Sequence, residues 1–198
     1  PMLNSIVALT ALGYSKDSPE VRKALKEFND LAIEDGDVIR WQPCFSAVWD
    51  TAWAVHALAR SGMSESTAVK QGSDWLLSKQ IFSDGDWQVN NPGGKPGGWA
   101  FEFDNPIYPD TDDTCAVLMG LSFAGRRNAP GFTPGLEWMK SMQNLDGGWG
   151  AFDRNVNLEF LEHLPWADHN AMLDPSTADL TGRILEAFGY VGVRTEER

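Results

Sequence analysis

The fold turns on the stretch Asp113-Thr114-Cys115-Ala116-Val117-Leu118-Met119-Gly120-Leu121-Ser122-Phe123-Ala124-Gly125. It opens on an acid, runs through small and aliphatic residues, and stops on glycine. Asp favours a helix N-cap because its side chain accepts from the unpaired N–H groups of the first turn. Gly favours the position just past a helix because it takes left-handed backbone without strain. The same plan recurs from Asp50 to Gly62 and from Asp179 to Gly189, and Ser5 to Gly13 reads as the tail of an earlier copy.

A second element repeats out of phase with the first. Gly72 to Gln80, with Trp75 inside it, is followed by Gly85-Asp86-Trp87. Gly135 to Gln143, with Trp138 inside it, is followed by Gly147-Gly148-Trp149. Trp75 and Trp138, Gln80 and Gln143, and Asp50 and Asp113 are each 63 residues apart. A fixed period of this size implies stacked helical units, each unable to bury its apolar face alone. The reading is therefore all-α, an α/α barrel (toroid) of repeated helix pairs. Helices are expected over 50–61, 66–79, 113–124, 135–143 and 177–188. A further one starts at Asp17-Ser18-Pro19-Glu20 and runs to about Ile33. The segment 81–109 is rich in Gly and Pro and reads as a long loop, yet Trp87, Trp99, Phe101, Phe103 and Tyr108 argue for order within it.

The 198 residues suit one ordinary domain, and a net charge of −12 excludes a nucleic-acid partner, which needs clustered Lys and Arg. Cys44 and Cys115 form no CxxC and read as reduced and intracellular. His56, His163 and His169 lack metal-ligand spacing. No apolar run reaches the ~20 residues of a membrane span, and no signal peptide is evident. The chain starts at Pro1 in a helical pattern and ends at Arg194 to Arg198 just past another, as a segment of a longer protein would.

The chemistry concentrates in Tyr108-Pro109-Asp110-Thr111-Asp112-Asp113-Thr114, where three carboxyls fall within four positions. Charges this close cannot all ionise cheaply, so at least one carboxyl keeps its proton near neutral pH and becomes a proton donor. The plain alternatives are an N-cap at Asp113 and solvated turn residues at Asp110 and Asp112. Clustered Asp also holds hard cations elsewhere, but the spacing here differs from the DDxxD of ionisation-type terpene synthases.

The Gln-to-Trp pattern resembles the QW repeat of triterpene cyclases. Gly97 to Asn105, followed by Tyr108 to Thr114, resembles the catalytic loop of squalene–hopene cyclases. Val48-Trp49-Asp50-Thr51 and Asp174 to Asp179 are similar to segments of that family in the same order. The resemblance covers nearly the whole chain and corresponds to about the middle third of the longer enzymes. It implies two α/α barrels around a cavity, with residues 1–47 ending one barrel and 48–198 beginning the catalytic one. It implies proton-initiated cyclisation of squalene to hopene- or hopanol-type products, with no cofactor and no metal. It also implies a squalene or similar polyprenoid substrate, a parent associated with the cytoplasmic side of a bacterial membrane through other parts of its chain, and room for a homodimer.

By the same resemblance Asp112 is the acid, assisted by Asp110 and Asp113. Asp179 and Arg183, one helical turn apart, match positions that contact the acid. Arg stays charged where the His found in some relatives would titrate. Trp49, Phe101, Tyr108 and Phe152 match positions lining the cavity, where aromatic faces stabilise cations by roughly 0.5–2 kcal/mol. Phe152 stands where Tyr is common. Trp75, Trp87, Trp138 and Trp149 read as structural, stacked on Gln80 and Gln143. Asp50 also reads as structural, and Asp179 with Arg183 would otherwise be a plain helix ion pair. Two other functions remain open: another DxDD cyclase acting on a diterpenoid or an oxidised squalene, and a non-catalytic helical-repeat module binding lipid or protein.

Overall fold

The computed structural model describes residues 2–42, 44–102, 107–158, 160–161 and 173–193. The chain divides into two compact units, Pro1–Phe45 and Ser46–Arg198. Phe103, His163, His169 and the segment from Arg194 to Arg198 lie outside the described residues.

In the first unit, α1 (Met2–Ala11) and α2 (Pro19–Asn29) pack on each other. Ser18 caps α2, its Oγ accepting from the Val21 N–H at 3.4 Å, and Pro19 fills the first helical position. The helix stops at Asn29, short of the expected Ile33. Residues after it form an antiparallel hairpin of β1 (Ala32–Asp35) and β2 (Val38–Trp41), so the expected extent of this helix is corrected within a chain that is otherwise helical. Ile33, Val38 and Ile39 are β-branched and favour extended backbone. Gly36, at φ +59°, makes the two-residue turn. Phe28 stacks on Trp41 at 5.7 Å and ties hairpin to helix.

Among its described residues the second unit has five α-helices: α3 (Ala47–Leu58), α4 (Thr67–Ser78), α5 (Thr111–Phe123), α6 (Phe132–Ser141) and α7 (Ala178–Val191). All five lie where the repeat puts them, but the starts are shifted. The caps of α3, α5 and α7 are Ser46, Asp110 and Thr177. Asp50, Asp113 and Asp179, expected as caps or openers, sit inside the first turn. An acid is favoured there by the partial positive charge of the helix N-terminus just as it is at the cap, so the pattern alone does not separate the two places.

Helix α5 is the centre of the unit. From Asp113 to Ser122 every residue is buried, and α3, α6 and α7 pack around it. A helix apolar on all sides belongs inside a protein. Gly120 lets α3 approach closely, since a Cβ there would lie 2.9 Å from the Ala52 carbonyl oxygen. Contacts advance in step along α3, α5 and α7. Ala52 meets Gly120 and His56 stacks on Phe123 at 4.8 Å, while Cys115 meets Arg183 and Phe123 meets Tyr190 at 4.8 Å. The three helices are therefore parallel neighbours, with α4 packed on α3 and α6 on α5 as the returning members of each pair.

The Gln and Trp side chains of the repeat tie each Gly-rich loop to the helix before it, and Gln80 also reaches the start of α6, with partners other than those expected. The Gln80 amide donates to the carbonyls of Gly97 (2.6 Å) and Gly131 (2.7 Å), and the Gln143 amide donates to Gly147 (2.8 Å). The Trp99 indole N–H donates to Leu76 O at 2.7 Å, and that of Trp149 to Met139 O at 2.9 Å. The counterpart of Trp149 is thus Trp99, and Trp87 belongs to an inserted turn where it packs edge-on against Trp138 at 5.9 Å. The inserted turn ends before Gly97, which is why the shorter Gln80-to-Trp87 spacing misleads.

Gln80→Ala would take the donor from the Gly97 carbonyl and one of two donors from the Gly131 carbonyl, which keeps the Gly135 N–H. We expect it to cost about 1–3 kcal/mol, read as a lower thermal unfolding midpoint of the protein.

Candidate active site

The first turn of α5 presents three carboxyls, and local geometry sends them different ways. Asp110 precedes the helix, and its backbone N–H donates to Trp99 O at 2.9 Å. Its Oδ1 accepts from the Asp113 N–H at 2.7 Å, the usual N-cap bond. Asp110 and Asp113 are 4% and 3% exposed. Among the described residues Asp110 Oδ2 and Asp113 Oδ1 are buried with no hydrogen-bond partner.

Burial raises the Asp110 carboxyl well above the usual carboxylate range, and the neighbouring charge of Asp113 adds to this. Burial likewise lifts Asp113 to about 7, against the hydrogen bond from Asp110 and with the charge of Asp112. These two titrate as a pair.

Asp112 turns the other way, with its side chain one-third exposed, and forms an ion pair with Arg183 of α7. This bond raises the Arg183 pKa and keeps the guanidinium charged. The same guanidinium lies 5.6 Å from the centroid of the Trp49 ring on α3. Three parallel helices therefore each supply one part: an acid from α5, a cation from α7 and an aromatic face from α3. Cys115, one turn along α5, contacts the Arg183 carbonyl at 3.4 Å, and burial pushes its thiol up to about 12. The three Asp carboxyls do not converge, and among the described residues no group of three or more His, Cys, Asp or Glu is placed to hold a metal ion.

Asp179 does not make the expected helix pair. Among the described residues no ion pair joins it to Arg183, which reaches across to Asp112 instead. Asp179 is exposed, and its pKa is lowered first by a hydrogen bond with Thr177, with Arg183 acting only as a distant charge. Tyr108 and Phe152 are 46% and 48% exposed and line one small cleft with Pro109 and Trp87. Phe101 is half-buried.

Two residues of the quoted segments, Thr114 and Asp174, take roles that the motifs do not state. Thr114 Oγ1 accepts the Trp99 N–H at 2.9 Å, as Thr181 Oγ1 accepts that of Trp149 at 3.1 Å. The Asp174 carboxyl accepts from the N–H groups of Ala151 (2.8 Å), Phe152 (2.5 Å) and Asp153 (2.6 Å). In the sequence Asp174 opens the family-like segment Asp174 to Asp179, and Gly150 makes room for it, since a Cβ there would lie 2.8 Å from Asp174 Cγ.

Residues 45–198 match the family described as the squalene-hopene cyclase C-terminal domain. The chain is 41% identical to a probable squalene–hopene cyclase of Sinorhizobium fredii, covering 98% of this chain and 31% of that protein. It is 40% identical to the squalene–hopene cyclase of Bradyrhizobium diazoefficiens, over 97% of this chain and 30% of that one. It is also 40% identical to the sporulenol synthase of Bacillus subtilis, over 93% of this chain and 29% of that one. The chain thus spans about 30% of the length of the curated relatives it matches.

The raised Asp113 pKa has a consequence for stability. Between its ordinary value of 3.8 and about 7, the folded state holds a proton that the unfolded chain has released. Stability therefore falls as pH rises through that window, by up to about 1.4 kcal/mol per pH unit for one proton. We expect Asp113→Asn to remove this contribution, seen as a flatter dependence of denaturant midpoint on pH from 4 to 7.

Proposed function

The chain belongs to the squalene–hopene cyclase family, and we propose that it carries the proton-donating part of an enzyme that cyclises squalene to hopene- or hopanol-type triterpenes. The observation that carries this reading is the division of the acid cluster into a buried pair, whose burial favours the protonated form, and a partly exposed carboxyl matched to an arginine. An alkene is a very weak base, so its protonation demands an acid whose anion is strongly stabilised. Asp112 meets that demand twice. Its anion faces Arg183, and it sits in the first turn of α5, where the helix dipole favours negative charge.

In this reading Asp112 delivers the proton, and Asp110 and Asp113 keep the cluster supplied with it. Arg183 takes up the charge left on Asp112, while Trp49 holds the guanidinium face. Asp179 contributes a background charge. Phe101, Tyr108 and Phe152 offer π faces to the cations that follow, without an atom that traps them. Residues 1–47 end one α/α barrel and residues 48–198 begin the catalytic one. The substrate is a hydrocarbon that partitions into lipid, which supports attachment to the cytoplasmic side of a bacterial membrane through other parts of the protein. Among the described residues no helix is long and apolar enough to cross a membrane. A homodimeric parent rests on family resemblance alone.

The test is the complete protein in detergent with squalene, products read by mass. We expect pentacyclic products, and a loss of at least about 100-fold with Asp112→Asn, the scale of a general acid. No product from folded, unsubstituted protein overturns the cyclase reading, and activity retained in Asp112→Asn overturns the choice of acid. Arg183→His is expected to preserve the rate at acid pH, where both side chains are cations. It should lower the rate as pH rises past the ordinary imidazole pKa of about 6.5. Superimposable pH–rate profiles would show that the charge on residue 183 is not used.

A further inference from the structure

Helix α5 begins with a need for acceptors. The N–H groups of its first turn have no partner within the helix. Thr111, the first helical residue, stands between Asp110 and Asp112 and is 1% exposed. Its N–H donates to Ala151 O at 2.8 Å, and its Oγ1 donates to Gly150 O at 2.7 Å. The carbonyls that fix the start of α5 therefore come from the loop that carries Phe152.

That loop is in turn held by one carboxyl. In the peptide joining Gly150 to Ala151, the carbonyl points to Thr111 and the N–H to Asp174. In the next peptide, the Ala151 carbonyl points to Thr111 and the Phe152 N–H to Asp174. Each plane is rigid and its N–H and C=O face opposite ways. Neither can turn without losing a bond at both ends. Asp174 is itself anchored, its backbone N–H donating to Val156 O at 3.1 Å. Glycine at 150 leaves room for the close approach of this carboxyl.

We propose that Asp174 is a positioning residue for the acid cluster, acting through two successive peptide planes on Thr111 and carrying the backbone of Phe152 on the same three bonds. The proposal rests on the cyclase reading for its effect on catalysis. The link from Asp174 to Thr111 is itself measurable without activity. One side chain thereby fixes both the start of the helix that holds the acid and the placement of an aromatic on the wall beside it.

The experiment uses the complete protein with Asp174→Asn, Thr111→Val and the double substitution. Asn keeps the shape but sets an NH₂ against N–H groups. Val keeps the branched shape of Thr and removes the hydroxyl donor. With squalene, Asp174→Asn is expected to lower kcat between about 10- and 100-fold, the scale of small misplacements, with KM little changed. Partly cyclised products should rise as Phe152 shifts. The double substitution should lose less than the product of the two single losses, because both cut one path. Hydrogen exchange should quicken together at residues 150–153 and 110–113 in Asp174→Asn.

Wild-type product ratios with multiplicative losses would overturn the proposal, as would faster exchange confined to residues 150–153. If Asp174→Asn does not fold, Thr111→Val decides, and unchanged exchange at residues 150–153 in that variant overturns the link. An inactive unsubstituted protein overturns the cyclase reading, and exchange then still judges the link on its own.

Discussion

A helix buried on every side can place charge only at its ends. Helix α5 is such a helix, with apolar or small side chains packed from Cys115 to Leu121. Its N-terminus is the one point where unpaired N–H groups and the helix dipole welcome carboxyls. The acid cluster sits there, and the rest of the unit is arranged about that end. Because α3, α5 and α7 are parallel, the starts of its neighbours come to the same place. Trp49 and Arg183 arrive beside Asp112 by this alignment. An antiparallel neighbour would bring a helix C-terminus, whose partial negative charge would oppose the anion that protonation leaves behind.

The repeat was legible because helix pairing leaves a periodic imprint. Gly120 against Ala52, and the Gln80 and Gln143 amides on backbone carbonyls, are demands that any sequence building this stack must meet. Register was less legible. Asp110 and Asp113 are both acids at the start of one helix, and only the bond from the Asp113 N–H to Asp110 Oδ1 identifies the cap. The pairing of Gln80 with Trp99 was hidden by the inserted turn around Trp87, which imitates the Gly-x-Trp spacing of the second copy. The hairpin of the first unit was hidden by helix-like charge spacing up to Asp30, while its deciding signal was a single glycine, Gly36.

The candidate site was legible in its acids and unclear in its couplings. Motif spacing picks out Asp110, Asp112 and Asp113 but does not say which two face each other. Spacing by four picks out Asp179 and Arg183 as a pair on one helix, yet the arginine has a better partner across the interface, where partial burial strengthens the attraction. Asp174 stands in a family-like segment, but its role left no pattern because its partners are backbone N–H groups, and backbone carries no sequence signal beyond the glycine that makes room. Contacts of this kind separate a motif from a working geometry.

The chain is also unequal in what it completes. What stabilises the anion lies within this chain: Arg183 pairs with Asp112, and the dipole of α5 favours negative charge at its start. The aromatics assigned to the cations are present but open, with Tyr108 and Phe152 each nearly half exposed. Anion stabilisation needs a few donors at fixed distances, which one helix row can supply. Cation stabilisation along a migrating charge needs a wall all the way round, because water reaching it would end the reaction. Under the proposed function, the step that begins the reaction is encoded locally in this chain. The steps that decide the product depend on walls that other parts of the protein must bring to Tyr108 and Phe152. The difference follows from the two charges themselves: the anion stays on one carboxyl, and the cation moves.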